Sequence, residues 1–254
     1  MIKRFIRKGL NKISGKKFLQ SFWRRLYETS LTGMNFGAID IDTDGEKEVL
    51  KLVKNSNPII FDVGANKGDY SLEVISFFGD NAKLYSFEPS RKTFSLLSNN
   101  LGNYKNVRLC NFGFGDTEEM VDFYSSGEDE LNSVFLRGTA SLSERAEIKK
   151  ITDFCRSNNI SHIDLLKVDA EGSEWKTLKG AKPLIDSSSI DFIQFEFGGC
   201  NIEAKVFFKD FFNLLNPNYK IYRVLKNGLF LINEYSEKEE IFHAVNYLAI
   251  SRKI

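Results

Sequence analysis

The sequence of 254 residues has few of the residue types that build disulfide frameworks, zinc clusters or histidine-based triads. Its three cysteines are odd in number and lack the spacing of metal ligands, which argues against a disulfide framework and a zinc site and favours a reducing cytosol. Its two histidines stand alone, so nothing in the sequence indicates a histidine triad. These residues are Cys110, Cys155, Cys200, His162 and His243.

Long hydrophobic runs are also missing. No apolar stretch approaches the roughly 20 residues that a helix needs to cross a bilayer. Hydrophobic residues make up 42% of the chain and charged residues 27%, which are ordinary values for a globular protein. We therefore expect one large domain with a small appendage, and a cytoplasmic location.

Acidic residues are absent from residues 1–27, which carry nine basic side chains. Of the 35 basic side chains, 26 remain for the rest of the chain against all 34 acidic ones, a net charge of −8 that argues against a nucleic-acid partner. Apolar residues follow helical spacing in two runs that break near Ser14 and Gly15. We expect residues 1–42 to form a basic amphipathic helical extension. It either packs on the body or, through residues 1–27, contacts anionic lipid peripherally at the inner membrane face.

The stretch DIDTDGEKEVLK, residues 40–51, begins like a calcium-binding loop. Its twelfth position should be a bidentate glutamate but is Lys51, so we do not expect calcium here. Thr43 and Glu46 instead have the spacing of a capping box at the start of a helix.

From Asn57 onward, stretches typical of strands alternate with stretches typical of helices. This alternation predicts a mostly parallel sheet covered by helices on both faces, that is, a doubly wound α/β fold. Asn227-Gly228 between two apolar runs predicts a hairpin, so the sheet should end in antiparallel strands. We expect residues 125–145 and 198–204 to be loops that hold the second substrate, and residues 144–159 to be a helix.

The stretch IIFDVGANKGDY, residues 59–70, is typical of a buried strand that runs into a glycine turn. Its glycines, Gly64 and Gly68, do not have the G-x-G-x-x-G spacing of dinucleotide folds. Asp62, two residues ahead of Gly64, suits a ligand with a cationic amino group better than a pyrophosphate. Glu88 follows the next strand, where a carboxylate can accept both ribose hydroxyls. Together these features favour a nucleoside with an amino acid attached, S-adenosylmethionine.

Polar residues also occur near the ends of two later strands, in IDLLKVDAEG and DFIQFEF. Because side chains alternate along a strand, Lys167 and Asp169 share one face, as do Gln194 and Glu196. Neighbouring strands that end in polar residues point to the ligand crevice of an open α/β sheet. The alternative is an ion pair of Lys167 with Glu196 or with Asp169 that only stabilises the sheet.

Four segments, FDVGANKGDYS, YSFEPS, NFGFGD and IDLLKVDAEGSEWKTLKGA, resemble the FkbM family of S-adenosylmethionine-dependent methyltransferases. The resemblance covers about residues 43–250 and implies a methyltransferase domain at 43–254 with a Rossmann-like, seven-stranded sheet. It also implies O-methylation of a sugar or sugar nucleotide, a hexose or heptose, in surface polysaccharide or glycoconjugate biosynthesis.

The resemblance further implies roles for individual residues. The methionine end of the cofactor is assigned to the glycine-turn segment, the ribose to Glu88, and the adenine to Asn111. The full set of expected cofactor-binding residues is Asp62, Gly64, Ala65, Asn66, Gly68, Tyr70, Glu88, Pro89, Asn111 and Asp169. Asp169, Lys167 and Glu196 are the expected catalytic residues, with Asp169 as the base. Asp169 and Glu196 are also candidate ligands for a divalent cation, magnesium or manganese.

Two other interpretations remain at this stage. An NAD(P)-linked sugar-nucleotide oxidoreductase or epimerase would share the fold, but it should show the missing G-x-G-x-x-G. A catalytically inactive, membrane-docked binding protein of the same fold would bind the cofactor without turnover, or not bind it at all. The intact glycine turn, Glu88 and Asp169 argue against this last interpretation.

Overall fold

The computed structural model describes residues 13–38, 43–125, 132–133 and 141–254. The α-helices of these residues are α1 (Gln20–Gly33), α2 (Glu46–Leu50), α3 (Asp69–Phe78), α4 (Arg91–Leu101), α5 (Ile151–Ser157), α6 (Glu174–Gly180), α7 (Lys182–Asp186), α8 (Cys200–Ala204) and α9 (Phe208–Leu215). The strands are β1 (Ile59–Val63), β2 (Lys83–Phe87), β3 (Val107–Cys110), β4 (Gly113–Phe114), β5 (Glu119–Ser125), β6 (Asn132–Ser133), β7 (Ser141–Lys149), β8 (Ile163–Val168), β9 (Ile190–Phe197), β10 (Tyr219–Leu225), β11 (Gly228–Ile232) and β12 (Val245–Ser251). Short 3₁₀ turns lie at Lys17–Leu19, Gly79–Asn81 and Glu237–Glu239.

The central sheet has the strand order β11-β10-β12-β9-β8-β1-β2-β3. Strands β3, β2, β1, β8 and β9 pair in parallel, while β12 is antiparallel to both β9 and β10. The predicted doubly wound, mostly parallel sheet with antiparallel C-terminal strands is therefore confirmed. It has eight strands instead of seven, because the hairpin at Lys226-Asn227 adds β11 at the edge.

Helices cover both faces of this sheet, because successive residues of the buried strands point to opposite sides. Ile60 and Leu84 pack with residues of α2 and α3 on one face. Phe61 and Phe87 pack on the other face, where the core also includes residues of α5, α6, α7 and α9. The site is thus built on strands that are fixed from both sides.

A second, four-stranded sheet with the order β4-β7-β5-β6 was not predicted. The predicted helix at 144–159 is wrong over its first part, which is strand β7, and the helix α5 begins only at Ile151. Glu144, Ala146 and Glu147 are compatible with a helix, but Ala146 and Ile148 are buried with the period of a strand paired to β5. Tertiary pairing overrides helix propensity here. Part of the predicted loop at 125–145 lies outside the described residues.

The N-terminal extension is described from residue 13. A turn at Ser14 and Gly15 precedes α1, as the break between the two apolar runs predicts. Residues 1–12, which contain the first run, lie outside the described residues, as do residues 39–42. No helix in the described part of the chain combines the length and the apolar character needed to traverse a membrane.

Candidate active site

A cleft lies at the carboxyl edge of the central sheet, where the loops after β1, β2 and β8 meet. Its empty space, including the open mouth, amounts to about 710 Å³. It is lined by Val63, Gly64, Asn66, Glu88, Pro89, Thr93, Gly113, Phe114, Phe123, Ile148, Asp169, Ala170, Glu171 and Ser173. Of the predicted site residues, Gly64, Asn66, Glu88, Pro89 and Asp169 are therefore brought together in one cavity.

Gly64 allows the loops after β1 and β8 to touch. Its φ of +81° lies in the left-handed region, and its N–H donates to the Phe87 carbonyl at 3.0 Å. A Cβ atom at this position would lie 1.8 Å from the carbonyl oxygen of Asp169. Only glycine fits this position, because both the backbone conformation and the space exclude a side chain.

Glu88 is held at the end of β2 by two backbone hydrogen bonds. Its Oε2 accepts from the N–H of Asn66 at 3.0 Å, and its Oε1 accepts from the N–H of Ser90 at 2.9 Å. Burial raises the pKa of Glu88 to about 7, although both hydrogen bonds oppose this shift. Each carboxylate oxygen can accept a further hydrogen bond, as two vicinal hydroxyls would require.

The apolar wall of the cleft comes from the second sheet and was missed by the sequence reasoning. Phe114, Phe123 and Ile148 contribute this wall from β4, β5 and β7. Glu144 of β7 fastens the sheet over the cleft, since its carboxylate accepts from Ser90 Oγ at 2.7 Å and from the N–H of Arg91 at 3.0 Å. Buried apolar residues at alternate positions of β7, Ala146 and Ile148, were the available signal.

Lys167 is the centre of a buried ionic network beside the cleft. Its Nζ lies 3.1 Å from Asp169 Oδ2 and 3.7 Å from Glu46 Oε1. Burial alone would lower the pKa of Lys167, but Asp169, Glu46 and Asp62 raise it well above its ordinary value. The ion pair with Asp169 is therefore present, whereas the alternative pairing of Lys167 with Glu196 does not form.

Glu46 is a member of this network that the sequence did not reveal. The predicted capping box is wrong, because the residue before α2 is Gly45 in a left-handed conformation and the N–H of Glu46 donates to Asp44 Oδ1 at 2.9 Å. The Glu46 side chain is buried and its Oε1 accepts from Gln194 Nε2 at 2.7 Å. Burial raises the pKa of Glu46 to about 7, with the Lys167 charge opposing this shift.

Asp169 is the member of the network that reaches the cleft. Its side chain is 37% exposed, whereas that of Lys167 is 6% exposed. The turn that follows is held by Glu174, whose Oε1 accepts from the N–H groups of Ala170 at 2.8 Å and Gly172 at 3.0 Å. Glu174 thus holds the shape of this turn.

Glu196 lies close to the other acidic groups of the cleft. Its pKa is raised well above the ordinary value by burial and by the charges of Asp169, Glu171 and Glu174. Within the described ranges, three metal-type ligands come together at His162, Asp164 and Asp191, where β8 and β9 begin, and not at Asp169 and Glu196. The divalent cation expected at Asp169 and Glu196 stays a prediction.

Five predicted cofactor-binding residues are not among those that line the cleft. Asp62 is fully buried, and its Oδ2 accepts from Ser71 Oγ at 2.7 Å. Asn111 Nδ2 donates to the carbonyls of Glu88 at 2.8 Å and Pro89 at 3.2 Å. The others are Ala65, Gly68 and Tyr70. Asn111 thereby holds the loop after β2, and direct contact of all five residues with a ligand stays a prediction.

The predicted acceptor loop at 198–204 contains α8 and lies next to the cleft. Cys200 Sγ is 2.9 Å from Glu171 Oε2, and Glu171 lines the cleft. Glu171 has a φ of +48°, an uncommon conformation for a residue with a side chain. The turn that Glu174 closes holds Glu171 in this conformation, and Glu171 thereby contributes a carboxylate to the lining of the cleft.

The cleft lies at the carboxyl edge of a doubly wound sheet, with an acidic residue after β2 and a network of charged side chains at the end of β8. Together these features define a class, the S-adenosylmethionine-dependent methyltransferases. The methyltransferase FkbM domain matches residues 62–224, and the chain belongs to this family. The match confirms the predicted family and rules out the NAD(P)-linked alternative.

Individual relatives are similar at low identity. The chain is 22% identical over 165 residues to 2-O-methyltransferase NoeI of Sinorhizobium fredii (strain NBRC 101917 / NGR234), covering 59% of this chain and 68% of that protein. It is 24% identical over 165 residues to hexuronic acid methyltransferase AglP of Haloferax volcanii, covering 62% of this chain and 65% of that protein. A solved FkbM methyltransferase from Methylobacillus flagellatus KT is 16% identical, with a TM-score of 0.47, covering 76% of this chain and 44% of that one.

Proposed function

We propose that this chain transfers a methyl group from S-adenosylmethionine to a hydroxyl oxygen of a sugar or sugar nucleotide, a hexose or heptose in surface polysaccharide or glycoconjugate biosynthesis. The observation that carries the proposal is the position of Asp169, whose partly exposed carboxylate lines the same cleft as Glu88 and the apolar wall. Two of the similar proteins support the acceptor class, since one is a 2-O-methyltransferase and the other a hexuronic acid methyltransferase.

The residues of the cleft fit the cofactor. Glu88 would accept the ribose hydroxyls, and the apolar wall of Phe114, Phe123 and Ile148 would contact the adenine. The close backbone approach at Gly64 leaves room for the methionine end. When bound, the cofactor supplies an activated methyl group on a sulfonium, so the protein has to orient the acceptor and remove its proton.

Asp169 is the group that would take that proton. The buried Lys167 holds the Asp169 carboxylate in place through Oδ2, which leaves Oδ1 for the acceptor hydroxyl. A divalent cation bound by Asp169 and Glu196 is the alternative way to acidify the hydroxyl. Treatment with a chelator, followed by magnesium or manganese, decides between the two routes. Turnover that survives the chelator leaves Asp169 as the direct base.

We expect calorimetry to show S-adenosylmethionine and S-adenosylhomocysteine binding in the micromolar range, about −8 kcal/mol, with NAD much weaker. Labelled S-adenosylmethionine incubated with free sugars and nucleotide sugars should label one acceptor class. Cofactor binding without labelling of any acceptor would favour a catalytically inactive protein of the same fold. NAD binding as tight as that of S-adenosylmethionine would contradict the proposal.

We expect the affinity for S-adenosylhomocysteine to decrease as the pH is lowered. The ligand-free pKa of Glu88 is raised to about 7. The carboxylate accepts ribose hydroxyls better than the acid does, so the bound pKa is lower and the proton must leave on binding. Affinity is therefore nearly full above about pH 8 and falls about tenfold between about pH 8 and pH 6.

The control for this pH dependence is Glu88→Gln, measured by calorimetry at the same pH values. The variant should bind more weakly throughout, by about 1.5–3 kcal/mol, because a hydrogen bond to a charged group is lost. It should also lose the pH dependence. If the affinity of Glu88→Gln fell with decreasing pH as steeply as that of the wild type, another group would be the one that titrates.

A further inference from the structure

Helix α1 and the 3₁₀ turn before it present an apolar row to solvent. Phe18, Phe22 and Leu26 recur every four residues and are 81%, 56% and 47% exposed. Trp23 packs edge-on against Phe22, with ring centroids 5.1 Å apart. Within Gln20–Gly33 the buried residue is Leu31, near the end of the helix. The row is therefore not covered by the body of the protein.

The charges of this segment identify what could cover the row. Lys16, Lys17, Arg24 and Arg25 lie within the same ten residues as Phe18 and Phe22, and residues 13–27 contain no acid. Arg24 falls on the side of the helix away from Phe22 and pairs with Glu28 at 3.1 Å. Arg25, three residues after Phe22, borders the apolar row, and its long side chain can reach lipid headgroups from there. A helix whose row of aromatic residues and leucine is flanked by cations is typical of one that lies in a membrane interface.

The alternatives fit less well. A second copy of the helix would bring two sets of cations together, which is unfavourable. The rest of the chain, residues 28–254, has a net charge of −8 and could attract these cations, yet it leaves the apolar row exposed. A bilayer containing anionic lipid satisfies both the apolar row and the cations.

The end of this segment is anchored at the edge of the sheet that carries the cleft. Phe36 is buried, with the guanidinium of Arg223 4.9 Å from its ring. The N–H of Gly37 donates to the carbonyl of Ala244 at 2.7 Å. Ala244 precedes Val245, which pairs with Phe197 at the carboxyl end of β9. The anchor and the cleft therefore share one edge of the sheet.

We propose that the segment Lys17–Tyr27 docks this protein on an anionic membrane surface, with Phe18, Phe22 and Leu26 inserted at the level of the headgroups. Docking through this segment brings the carboxyl edge of the sheet towards the bilayer. The inference does not depend on which acceptor is methylated.

Flotation tests the proposal with the full chain. Vesicles of phosphatidylcholine, and vesicles of phosphatidylcholine mixed with phosphatidylglycerol, are centrifuged through a density gradient with the protein. The wild type should float with the anionic vesicles, stay at the bottom with the neutral ones, and be released by high salt because the attraction of the cations is screened. Phe22→Ser/Leu26→Ser should reduce the floating fraction at least about tenfold through lost apolar burial.

The matched control is Phe77→Ser/Met120→Ser, which removes two other apolar side chains that are 48% and 46% exposed. It should float like the wild type, and calorimetry with S-adenosylhomocysteine should give the same affinity for all three proteins. Flotation of Phe22→Ser/Leu26→Ser at the wild-type level, or no flotation of the wild type, would overturn the proposal. A wild-type dimer that Phe22→Ser/Leu26→Ser converts to a monomer, without flotation, would assign the row to a second copy.

Discussion

Replacing Asp169 by asparagine should lower turnover about 100-fold or more, the range expected for the loss of a general base. The substitution keeps the shape of the side chain and removes the charge that would accept the proton of the acceptor hydroxyl. The affinity for S-adenosylhomocysteine should change little, since the expected partner of Asp169 is the acceptor. Single-turnover rates and calorimetry on the same preparations measure both quantities.

The control for Asp169→Asn is the loss of an aspartate–lysine ion pair elsewhere. Asp116 pairs with Lys179 of α6 and does not line the cleft. Asp116→Asn should leave turnover unchanged. If Asp169→Asn keeps near-normal turnover and only lowers the melting temperature, the pair of Asp169 with Lys167 has a structural role and the catalytic assignment is wrong.

Replacing Gly64 by alanine should reduce both stability and turnover. The left-handed backbone costs a residue with a side chain about 1–2 kcal/mol, and the overlap with the backbone of Asp169 adds about 1–3 kcal/mol. We expect the free energy of unfolding to fall by about 3 kcal/mol, measured by denaturant titration. Turnover at a temperature where the variant is folded should fall further, because relief of the overlap moves Asp169.

Gly79→Ala separates these two effects. Gly79 also has a positive φ, of +59°, but a Cβ atom there meets nothing within 4 Å. It should lose stability through the backbone conformation alone and keep its turnover when folded. Equal losses of stability in Gly64→Ala and Gly79→Ala would contradict the overlap as the cause.

Several parts of the site could be predicted because they depend on short stretches of chain. A strand that runs into a glycine turn places Gly64 and Asn66 at the carboxyl edge, and the next strand places Glu88 beside them. The two loops then meet through the hydrogen bond from Asn66 to Glu88. The loops after neighbouring parallel strands lie close together in any doubly wound sheet. The spacing of these residues along the chain was therefore sufficient to predict that they meet.

The wall of the cleft could not be predicted in the same way. Residues 141–149 contain Glu, Arg and Ala, which favour helix, and the pairing with β5 makes them a strand. This pairing is decided by the burial of Ala146 and Ile148 against the rest of the protein, which local propensity does not include. The position of β12 between β9 and β10 likewise depends on the packing of the whole sheet.

The fold class, the glycine turn, the acid after β2 and the polar end of β8 could all be predicted from the sequence, because strand and helix periodicities and turn residues act over a few neighbours. Only the tertiary structure decided that Lys167 pairs with Asp169 and Glu46, and that Gln194 donates to Glu46 across 148 positions of the chain. It also decided that the apolar row of α1 is left uncovered. Contacts between distant segments depend on which surfaces pack together, and that is a property of the whole chain.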